Sequence, residues 1–268
     1  MTKPIPLFER SAYFLGGADL EMQTIGSLLR RSVPLDRIND KRLRWGAKAS
    51  DYATEIMVAE RTDLHIVCVE LLDDLIPNAF SSRITWIDHH DTRAGANVPT
   101  SLEQAFAYLQ RPSSEWTREY QLVSANDRGH IAGMQAVGAT EDEIKRIRAA
   151  DRAAQGITAD EERMGLAAAS RAEHFFQGRL TVVQSPHSRT ATITDALHPA
   201  LGGCGYENLL VFGPEETNFF GIGTAIHALS EKFSGGWSGG ELPYRGFWGY
   251  PQPLQLPATL NALANVFS

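Results

Sequence analysis

The residues best suited to chemistry stand together in one short stretch, Asp88-His89-His90-Asp91, directly after the apolar run Ile84–Ile87. Imidazoles and carboxylates can hold a divalent cation and exchange protons near neutral pH. Carboxylates combined with one or two imidazoles suit Mn²⁺ or Mg²⁺ better than an ion that prefers thiolates. The apolar run has the length of a strand, and open α/β sheets bind ligands at the carboxyl ends of their strands. The stretch therefore predicts a metal site at one edge of a sheet.

Acidic side chains also follow three other apolar runs of the chain. The run 64–69 ends in Glu70, with Asp73 and Asp74 beyond; the run Ser11–Leu15 leads to Asp19 and Glu21; and the run 121–125 ends in Asn126-Asp127-Arg128. If all four runs are strands, these groups meet at one sheet edge. Three alternatives stay open. Asp19 can instead cap the first helix. Asp73 or Asp74 can replace Glu70 as a ligand, and Asp127 can form an ion pair with Arg128.

The elements that must position these residues alternate between strand and helix in the first half of the chain. The β-branched, continuously apolar run 64–69 is typical of a strand covered on both faces, as in a parallel sheet. Helical spacing follows over 20–29 and 51–60, and Thr100-Ser101-Leu102-Glu103 is a capping box that opens another helix. This alternation predicts an α/β domain with a mainly parallel sheet over residues 1–137.

The second half of the chain predicts a different organisation. Capping boxes at Thr140 and Thr158 open two helical segments, which we expect to form a helical connector over 138–178. A smaller α/β domain is predicted over 179–268. Its predicted elements are the strands 180–184, 190–194, 208–212 and 218–222, the helix 225–233 and a glycine-rich loop over 234–250.

Charge and composition exclude several classes of protein. The formal net charge of −7 argues against binding of long duplex nucleic acid, which depends on Lys and Arg. A local excess exists between Arg30 and Lys48, with seven basic residues against Asp36 and Asp40; it is either a solvated face or a phosphate-attracting rim. The chain lacks the apolar stretch of a signal peptide or of a membrane span. The two cysteines, Cys68 and Cys204, have no metal-binding spacing. These features predict a cytoplasmic protein without a membrane partner.

One competing motif fails on its context. Gly236-Trp237-Ser238-Gly239-Gly240 matches the G-x-S-x-G nucleophile elbow of serine hydrolases. That elbow requires a strand before it and a helix after it, whereas here a predicted helix precedes it and Pro243 follows. No Asp or His occurs after Ser238 to complete a triad in the usual order. The motif therefore does not predict a serine hydrolase.

The triplet Asp88-His89-His90 resembles the signature of the DHH phosphoesterases, which include type II pyrophosphatases, RecJ-like exonucleases, oligoribonucleases and cyclic-dinucleotide phosphodiesterases. Ile25-Gly26-Ser27 resembles the continuation of that family's first acidic motif. The second half resembles the family's DHHA1 substrate domain, in which a strand and a helix lead into a Gly-Gly-Gly-His loop. The resemblance covers residues 10–250 and implies an N-terminal DHH domain followed by a DHHA1-like domain.

The resemblance implies a role for each matching residue. His89 and Asp127 would be metal ligands, and Glu70 would occupy the place of the family's bridging aspartate. His90 would point to the phosphate as a ligand or proton donor. Asp88 would hold the imidazoles in place. Arg128, beside Asp127, could offset charge in the transition state together with His90.

Two motifs depart from the family pattern. The first motif, normally His-x-x-x-Asp-x-Asp, lacks its histidine, and its two acidic positions fall either on Asp19 and Glu21 or on Glu21 and Gln23. The Gly-Gly-Gly-His loop also lacks its histidine, and Arg245 is the nearest cation. The resemblance assigns substrate binding to this loop in a domain that closes over the cleft; the matching residues are Gly235, Gly236, Ser238, Gly239 and Arg245.

These residues predict a Mn²⁺- or Mg²⁺-dependent phosphoesterase with one or two ions per chain. Its substrate would be a small phosphoanhydride or phosphodiester of the nucleotide, short oligonucleotide or polyphosphate class. The altered motifs favour an alternative, a degenerate protein that binds a nucleotide or phosphate without turnover. A cluster of aromatic residues near the C-terminus could form core, a homodimer contact or a surface for stacking a base; it consists of Trp237, Phe247, Trp248 and Tyr250.

Overall fold

The computed structural model describes residues 5–74, 83–90, 93, 95, 97–242 and 244–268, so that Asp91 and Pro243 lie outside the described residues. The chain divides into two units, Met1–Gly156 and Ile157–Ser268. The predicted connector is shared between them, because its first helix belongs to the first unit and its second helix to the second. Within the described residues, no helix is long and apolar enough to cross a membrane.

The first unit is built on a parallel sheet, which confirms the predicted α/β class. Within the described residues the sheet has four strands in the order β2-β1-β3-β4. They are β1 (Ser11–Leu15), β2 (Ile38–Asn39), β3 (His65–Val69) and β4 (Ile84–Ile87). All five residues of β1 are buried, as expected for a continuous apolar run covered on both faces.

The helices of the first unit follow the strands and cover the sheet. They are α1 (Leu20–Arg30), α2 (Ala53–Arg61), α3 (Ser101–Tyr108), α4 (Arg118–Ala136) and α5 (Glu141–Ala154). The predicted capping boxes at Thr100 and Thr140 are formed at the starts of α3 and α5. One prediction was wrong: residues 121–125 lie inside α4 and not in a strand. Their short apolar run is the buried side of a long helix, and periodicity alone does not separate these two cases.

The strand register decides which residues meet at the carboxyl edge of this sheet. Leu15 at the end of β1 pairs with Val69 at the end of β3, and Val69 pairs with Ile87 at the end of β4. The three strands therefore end in one row. The residues that follow them, including Glu70 and Asp88, emerge side by side.

The second unit contains a mixed sheet with helices on both faces. Within the described residues the strand order is β5-β6-β7-β8-β10-β9, and β6 and β7 run parallel while the other neighbours are antiparallel. The strands are β5 (Glu173–Phe175), β6 (Leu180–Gln184), β7 (Leu209–Phe212), β8 (Thr217–Ile222), β9 (Trp237–Glu241) and β10 (Arg245–Tyr250). The helices are α6 (Ala159–Ala169), α7 (Ala191–Leu197), α8 (Gly223–Lys232) and α9 (Leu256–Phe267).

Two predictions for this unit were wrong. The segment 190–194, predicted as a strand, starts α7, whose Ile193 and Leu197 pack into the core beside Val211. The glycine-rich segment, predicted as a loop, forms the hairpin of β9 and β10. Its glycines face aromatic rings: a β-carbon on Gly239 would lie 2.7 Å from the ring of Phe247. The glycines thus make room for cross-strand rings and do not mark an irregular loop.

Candidate metal centre

The carboxyl edge of the first sheet brings five of the predicted site residues together. The imidazole Nε2 of His89 lies 2.6 Å from Asp127 Oδ2, 3.6 Å from Glu70 Oε1 and 3.7 Å from Glu21 Oε2. The Nε2 atom of His90 lies 3.4 Å from the same Glu70 oxygen. Glu70, His89, His90 and Asp127 each offer one ligand atom, and these atoms lie within 4.8 Å of one another. Side chains from four separate elements therefore converge on one small volume.

The polar atoms in this volume fit a hard divalent cation. Glu21 Oε2, Glu70 Oε1, His89 Nε2 and Asp127 Oδ2 are buried and have no aligned hydrogen-bond partner among the described residues. Buried polar atoms normally form aligned hydrogen bonds, whereas these four atoms face one another, with His89 Nε2 and Asp127 Oδ2 in closest approach at 2.6 Å. Three carboxylates and an imidazole form a donor set that Mn²⁺ and Mg²⁺ accept.

The pKa values of the site follow from burial and crowded negative charge. Burial and the nearby Asp127 carboxylate raise the pKa of Glu21 well above its usual range. Burial tends to lower the pKa of His89, but Asp127 and Glu21 outweigh it and raise that pKa to about 10. Burial tends to raise the pKa of Glu70, but the neighbouring His90 lowers it below its usual value. Protons on the carboxyl groups and the positive charge of the imidazoles thus offset the negative charge of the site. A bound divalent cation would take over that role.

Glu21 and not Asp19 enters the cluster from the first acidic motif. Glu21 is 2% exposed, and its Oε1 accepts the backbone N–H of Leu102 at the start of α3, which leaves Oε2 directed at His89. Asp19 is the N-cap of α1 and accepts the N–H of Met22 at 2.7 Å. Burial and the negative charge of Glu70 still raise the pKa of Asp19, so that carboxyl lies close to the site without being part of the cluster.

Glu70 reaches the cluster through an unusual backbone conformation. Its φ of +50° is in the left-handed region, which non-glycine residues seldom adopt. The N–H of Glu70 donates to Ile87 O at 2.9 Å and continues the pairing of β3 with β4. Gly16 lies directly against it, since a β-carbon on Gly16 would overlap the Glu70 carbonyl oxygen. The close packing at Gly16 therefore helps to set the position of Glu70.

We expect Gly16→Ala to displace Glu70 and weaken metal binding by about tenfold or more, with a loss of about 1–3 kcal/mol in stability from overpacking. Calorimetric titration with Mn²⁺ and urea unfolding measure the two effects. Gly129→Ala is the matched control, because a β-carbon there meets no atom within 4 Å. Equal metal affinity in the two variants would contradict the role of Gly16.

Asp88 supports the loop that carries the histidines, but its contacts differ from those implied by the resemblance. Its Oδ1 accepts the backbone N–H of His90 at 3.0 Å, and its Oδ2 accepts Arg93 Nη1 at 3.3 Å; neither partner is an imidazole. The amide of Gln104, on α3, donates to Asp88 O at 2.9 Å. The side chain thus holds the backbone that positions the rings. The sequence analysis missed Arg93 and Gln104, which carry no motif.

A buried polar network, which no sequence motif indicates, anchors Asn126, the residue before Asp127. Arg148 on α5 donates from Nη1 to Asn126 Oδ1 at 2.9 Å and to Asp151 Oδ2 at 2.7 Å. The other Asp151 oxygen accepts the N–H of Leu20 at 3.2 Å, at the start of α1. Arg148 is 2% exposed. The network joins α5 to the residue beside Asp127 and to the helix that carries Glu21.

Loss of this arginine should be costly, because it leaves buried polar partners unpaired. We expect Arg148→Met to lower the free energy of unfolding by about 3–5 kcal/mol. Arg146→Met is the matched control on the same helix, since Arg146 pairs with Glu119 in an exposed ion pair worth at most about 1 kcal/mol. Urea unfolding followed by circular dichroism measures both. Similar losses in both variants would contradict the network's importance.

Arg128 and the aspartates after Glu70 have other partners. Arg128 forms an ion pair with Glu103 at 2.8 Å and donates to Val98 O at 3.3 Å, so the predicted pair with Asp127 is not among its contacts. Its predicted role as a catalytic cation therefore lacks a contact with the cluster. Asp74 accepts from Ser50 N at 2.9 Å and from Ser50 Oγ at 2.6 Å. Glu70, and not Asp74, supplies the carboxylate that follows β3.

The predicted substrate-binding residues of the second unit lie in and beside the β9–β10 hairpin. Gly235 has a φ of +94°, and a β-carbon on Gly236 would lie 2.8 Å from Trp248 Nε1. Ser238 pairs with Trp248 across the hairpin. Arg245 donates from Nη2 to Glu207 O at 2.8 Å. Packing explains Gly236, and the left-handed φ explains Gly235. Phosphate binding by this segment stays a prediction.

The aromatic cluster near the C-terminus is largely core. Trp248 is fully buried and stacks on Tyr250 with ring centroids 5.8 Å apart, and Phe233 packs on both rings. Phe247 is the exposed member, at 36%, while Trp237 and Tyr250 are half-buried. Of the three alternatives for this cluster, the structure favours core packing for Trp248 and Tyr250.

Fold and site together define a chain of two α/β units whose first unit carries a cluster suited to a hard cation at the carboxyl edge of a parallel sheet. No family model and no curated protein matches the sequence. Solved structures with a similar fold do exist. Three of them are an exopolyphosphatase-related protein from Bacteroides fragilis, RecJ from Thermus thermophilus in complex with Mn²⁺, and the pGpG-specific phosphodiesterase PggH from Vibrio cholerae.

The likeness to these structures extends over nearly the whole chain. The Bacteroides protein is 11% identical, with 97% of this chain and 93% of that chain covered and a TM-score of 0.48. RecJ is 13% identical, with 97% and 52% covered and a TM-score of 0.49, so this chain spans about half the length of RecJ. PggH is 11% identical, with 96% and 98% covered and a TM-score of 0.41.

Proposed function

We propose that this chain is a metal-dependent phosphoesterase of the DHH type that hydrolyses a small phosphoanhydride or phosphodiester. The observation that carries the proposal is the convergence of four buried ligand atoms, one each from Glu21, Glu70, His89 and Asp127, none of which has an aligned hydrogen bond. Three buried carboxyl groups around one imidazole are costly to bury, and a divalent cation held among them would offset their negative charge. The Asp88-His89-His90 motif, which supplies one of the four atoms, supports the same class.

The proposed roles follow from the position of each side chain. Glu21, Glu70, His89 and Asp127 would hold Mn²⁺ or Mg²⁺, as one or two ions. A divalent cation bound there supplies Lewis acidity toward a phosphoryl oxygen and toward water. His90 is 46% exposed, with Nε2 3.4 Å from Glu70. Its imidazole is therefore available both to Glu70 and to a ligand in solvent, which suits hydrogen-bond or proton donation to a phosphoryl oxygen.

The proposal is tested by measuring phosphate or nucleotide release from a small panel of substrates. The panel contains pyrophosphate, tripolyphosphate, a linear dinucleotide, a cyclic dinucleotide and a nucleoside 3′,5′-bisphosphate, each with Mn²⁺, with Mg²⁺ and after chelation. We expect turnover of at least one substrate that chelation removes and added metal restores. Folded, metal-loaded protein that binds a panel member without turnover would instead support the non-catalytic binding protein.

A further inference from the structure

Residues 41–48, here called the rim segment, cross the carboxyl edge of the first sheet beside the metal centre. Leu43 forms a parallel bridge with Gly17, just after β1, and Lys48 forms one with Leu72, just after β3. The N–H of Ala18 donates to Leu43 O at 2.7 Å, and that of Leu72 donates to Ala47 O at 2.9 Å. The segment therefore borders the two strand ends that lead to Glu21 and Glu70.

Two adjacent glycines show how close the rim segment lies to the site. Gly16 packs against the backbone of Glu70, as described above, while a β-carbon on Gly17 would lie 3.1 Å from the backbone of Trp45. Neighbouring residues of one turn thus contact a residue of the metal cluster and a residue of the rim. The rim segment therefore lies beside the end of β1 that leads to the metal centre.

Trp45, within the rim segment, exposes 77% of its surface. Large aromatic side chains are usually mostly buried, and an exposed indole beside a binding site is a feature of ligand recognition. Among the described residues, no ring or cation contact is formed by Trp45, in contrast to Trp86, Trp116 and Trp248. Its flat face is free to stack on a base.

The residues beside Trp45 carry uncompensated positive charge. Arg42 and Arg44 are exposed, and neither forms an ion pair with an acidic group in the described part of the chain. Acidic groups nearby in sequence are already engaged: Asp40 pairs with Arg30, Glu55 pairs with Lys41, and Asp51 accepts the backbone N–H of Lys48. Guanidinium groups bind phosphate oxygens in a bidentate geometry. The rim segment thus combines an aromatic face with two free cations.

We infer that Arg42, Arg44 and Trp45 form a nucleotide-recognition surface, in which the indole stacks on a base and the guanidinium groups contact the phosphates. The substrate class at the neighbouring metal centre is then nucleotides and short oligonucleotides, and not inorganic polyphosphate. This assignment rests on the proposed function for the bond that is cleaved, whereas the binding of a nucleotide to the rim does not depend on turnover.

The test compares a 5′-phosphorylated dinucleotide with an abasic analogue of the same sugar-phosphate backbone. We expect Trp45→Ala to raise the KM for the dinucleotide about tenfold or more, the order of one lost base stack, and to leave the abasic analogue within about twofold. Trp45→Phe should recover most of the loss. Arg44→Ala should weaken both ligands, because it removes a phosphate contact and not a base contact.

Matched controls come from the opposite end of the sheet. Leu35→Ala removes another exposed apolar side chain, 69% exposed, from the segment that precedes β2, and Arg61→Ala removes a cation from the end of α2. Neither should change either KM. Equal loss on both ligands in Trp45→Ala, or no loss on either, would overturn the inference.

Absence of turnover would refute the proposed function and leave the rim testable. In that case the dissociation constants of the dinucleotide and of its abasic analogue, measured by isothermal titration calorimetry, take the place of the KM values. The same tenfold, base-dependent loss in Trp45→Ala would support the recognition surface. An equal change in the dissociation constants of the dinucleotide and the abasic analogue in Trp45→Ala would overturn it.

Discussion

Replacing His89 with alanine should reduce metal-dependent turnover by more than about 10²-fold while the fold is retained. His89 Nε2 is central to the cluster, since it lies within 3.7 Å of oxygens of Glu21, Glu70 and Asp127. Mutation of a residue that only orients a metal ligand typically costs 10–100-fold in affinity or activity. Loss of a ligand at the centre of the site should exceed that range. The rate is measured on the substrate turned over best by the wild-type protein.

The matched control for this variant is His227→Ala. His227 lies on α8 in the second unit, with its side chain 75% exposed and paired with Glu231 at 3.2 Å. Its loss should leave the rate within about twofold, as is usual for exposed positions. Circular dichroism and the melting temperature in chelator establish that both variants are folded. A His89→Ala protein that retained wild-type turnover would show that the reaction takes place elsewhere or comes from a contaminant.

Addition of Mn²⁺ should raise the melting temperature of the first unit by about 10 °C. A ligand that binds the folded state at about 1,000 times its dissociation constant stabilises that state by about 4 kcal/mol. For a unit of this size, each kcal/mol shifts the melting temperature by about 2–4 °C. The physical reason is that a cation pairs buried carboxylate oxygens that otherwise repel one another. Differential scanning calorimetry with a metal titration and a chelator measures the shift.

Asp127→Asn should remove most of this metal-dependent stabilisation. The substitution keeps the shape of the side chain but deletes a negative charge and half of its acceptor capacity. Asp160→Asn, at an exposed ion pair with Arg163 on α6, is the matched control and should keep the full gain. A Mn²⁺-induced shift of equal size in Asp127→Asn would place the metal outside the cluster.

The strands of the first sheet and the starts of three helices could be predicted from local sequence patterns, because each of these patterns has a single physical explanation. The runs at β1 and β3 are largely apolar and buried, which in a strand of this length requires cover on both faces and hence favours a parallel sheet with helices on either side. The capping boxes at Thr100, Thr140 and Thr158 satisfy N–H groups of their own helices, and all three helices begin there. These features depend on neighbours in sequence.

The errors arose where a short segment supports two structures. Residues 121–125 are apolar enough for a strand, but Thr117 caps a helix that continues through them before the chain kinks at Gly129 and His130. The segment 190–194 has β-branched residues, yet it packs as a helix beside β7. Gly236 and Gly239 look like parts of a loop until the rings of Trp248 and Phe247 on β10 are placed against them. In each case a partner distant in sequence decides the outcome.

The sequence by itself determined the class of chemistry, because the types of side chain at Asp88, His89 and His90 limit which ligands a site can hold. It also determined that Glu70 and these residues follow strands, since apolar runs of strand length precede them. Tertiary structure alone decided that Glu21 and not Asp19 enters the cluster, because the start of α3 supplies the N–H that orients it. It alone joined Asp127 to the others, because a helix and not a strand delivers it, and the preceding Asn126 is held by Arg148 of α5, which no local pattern relates to it.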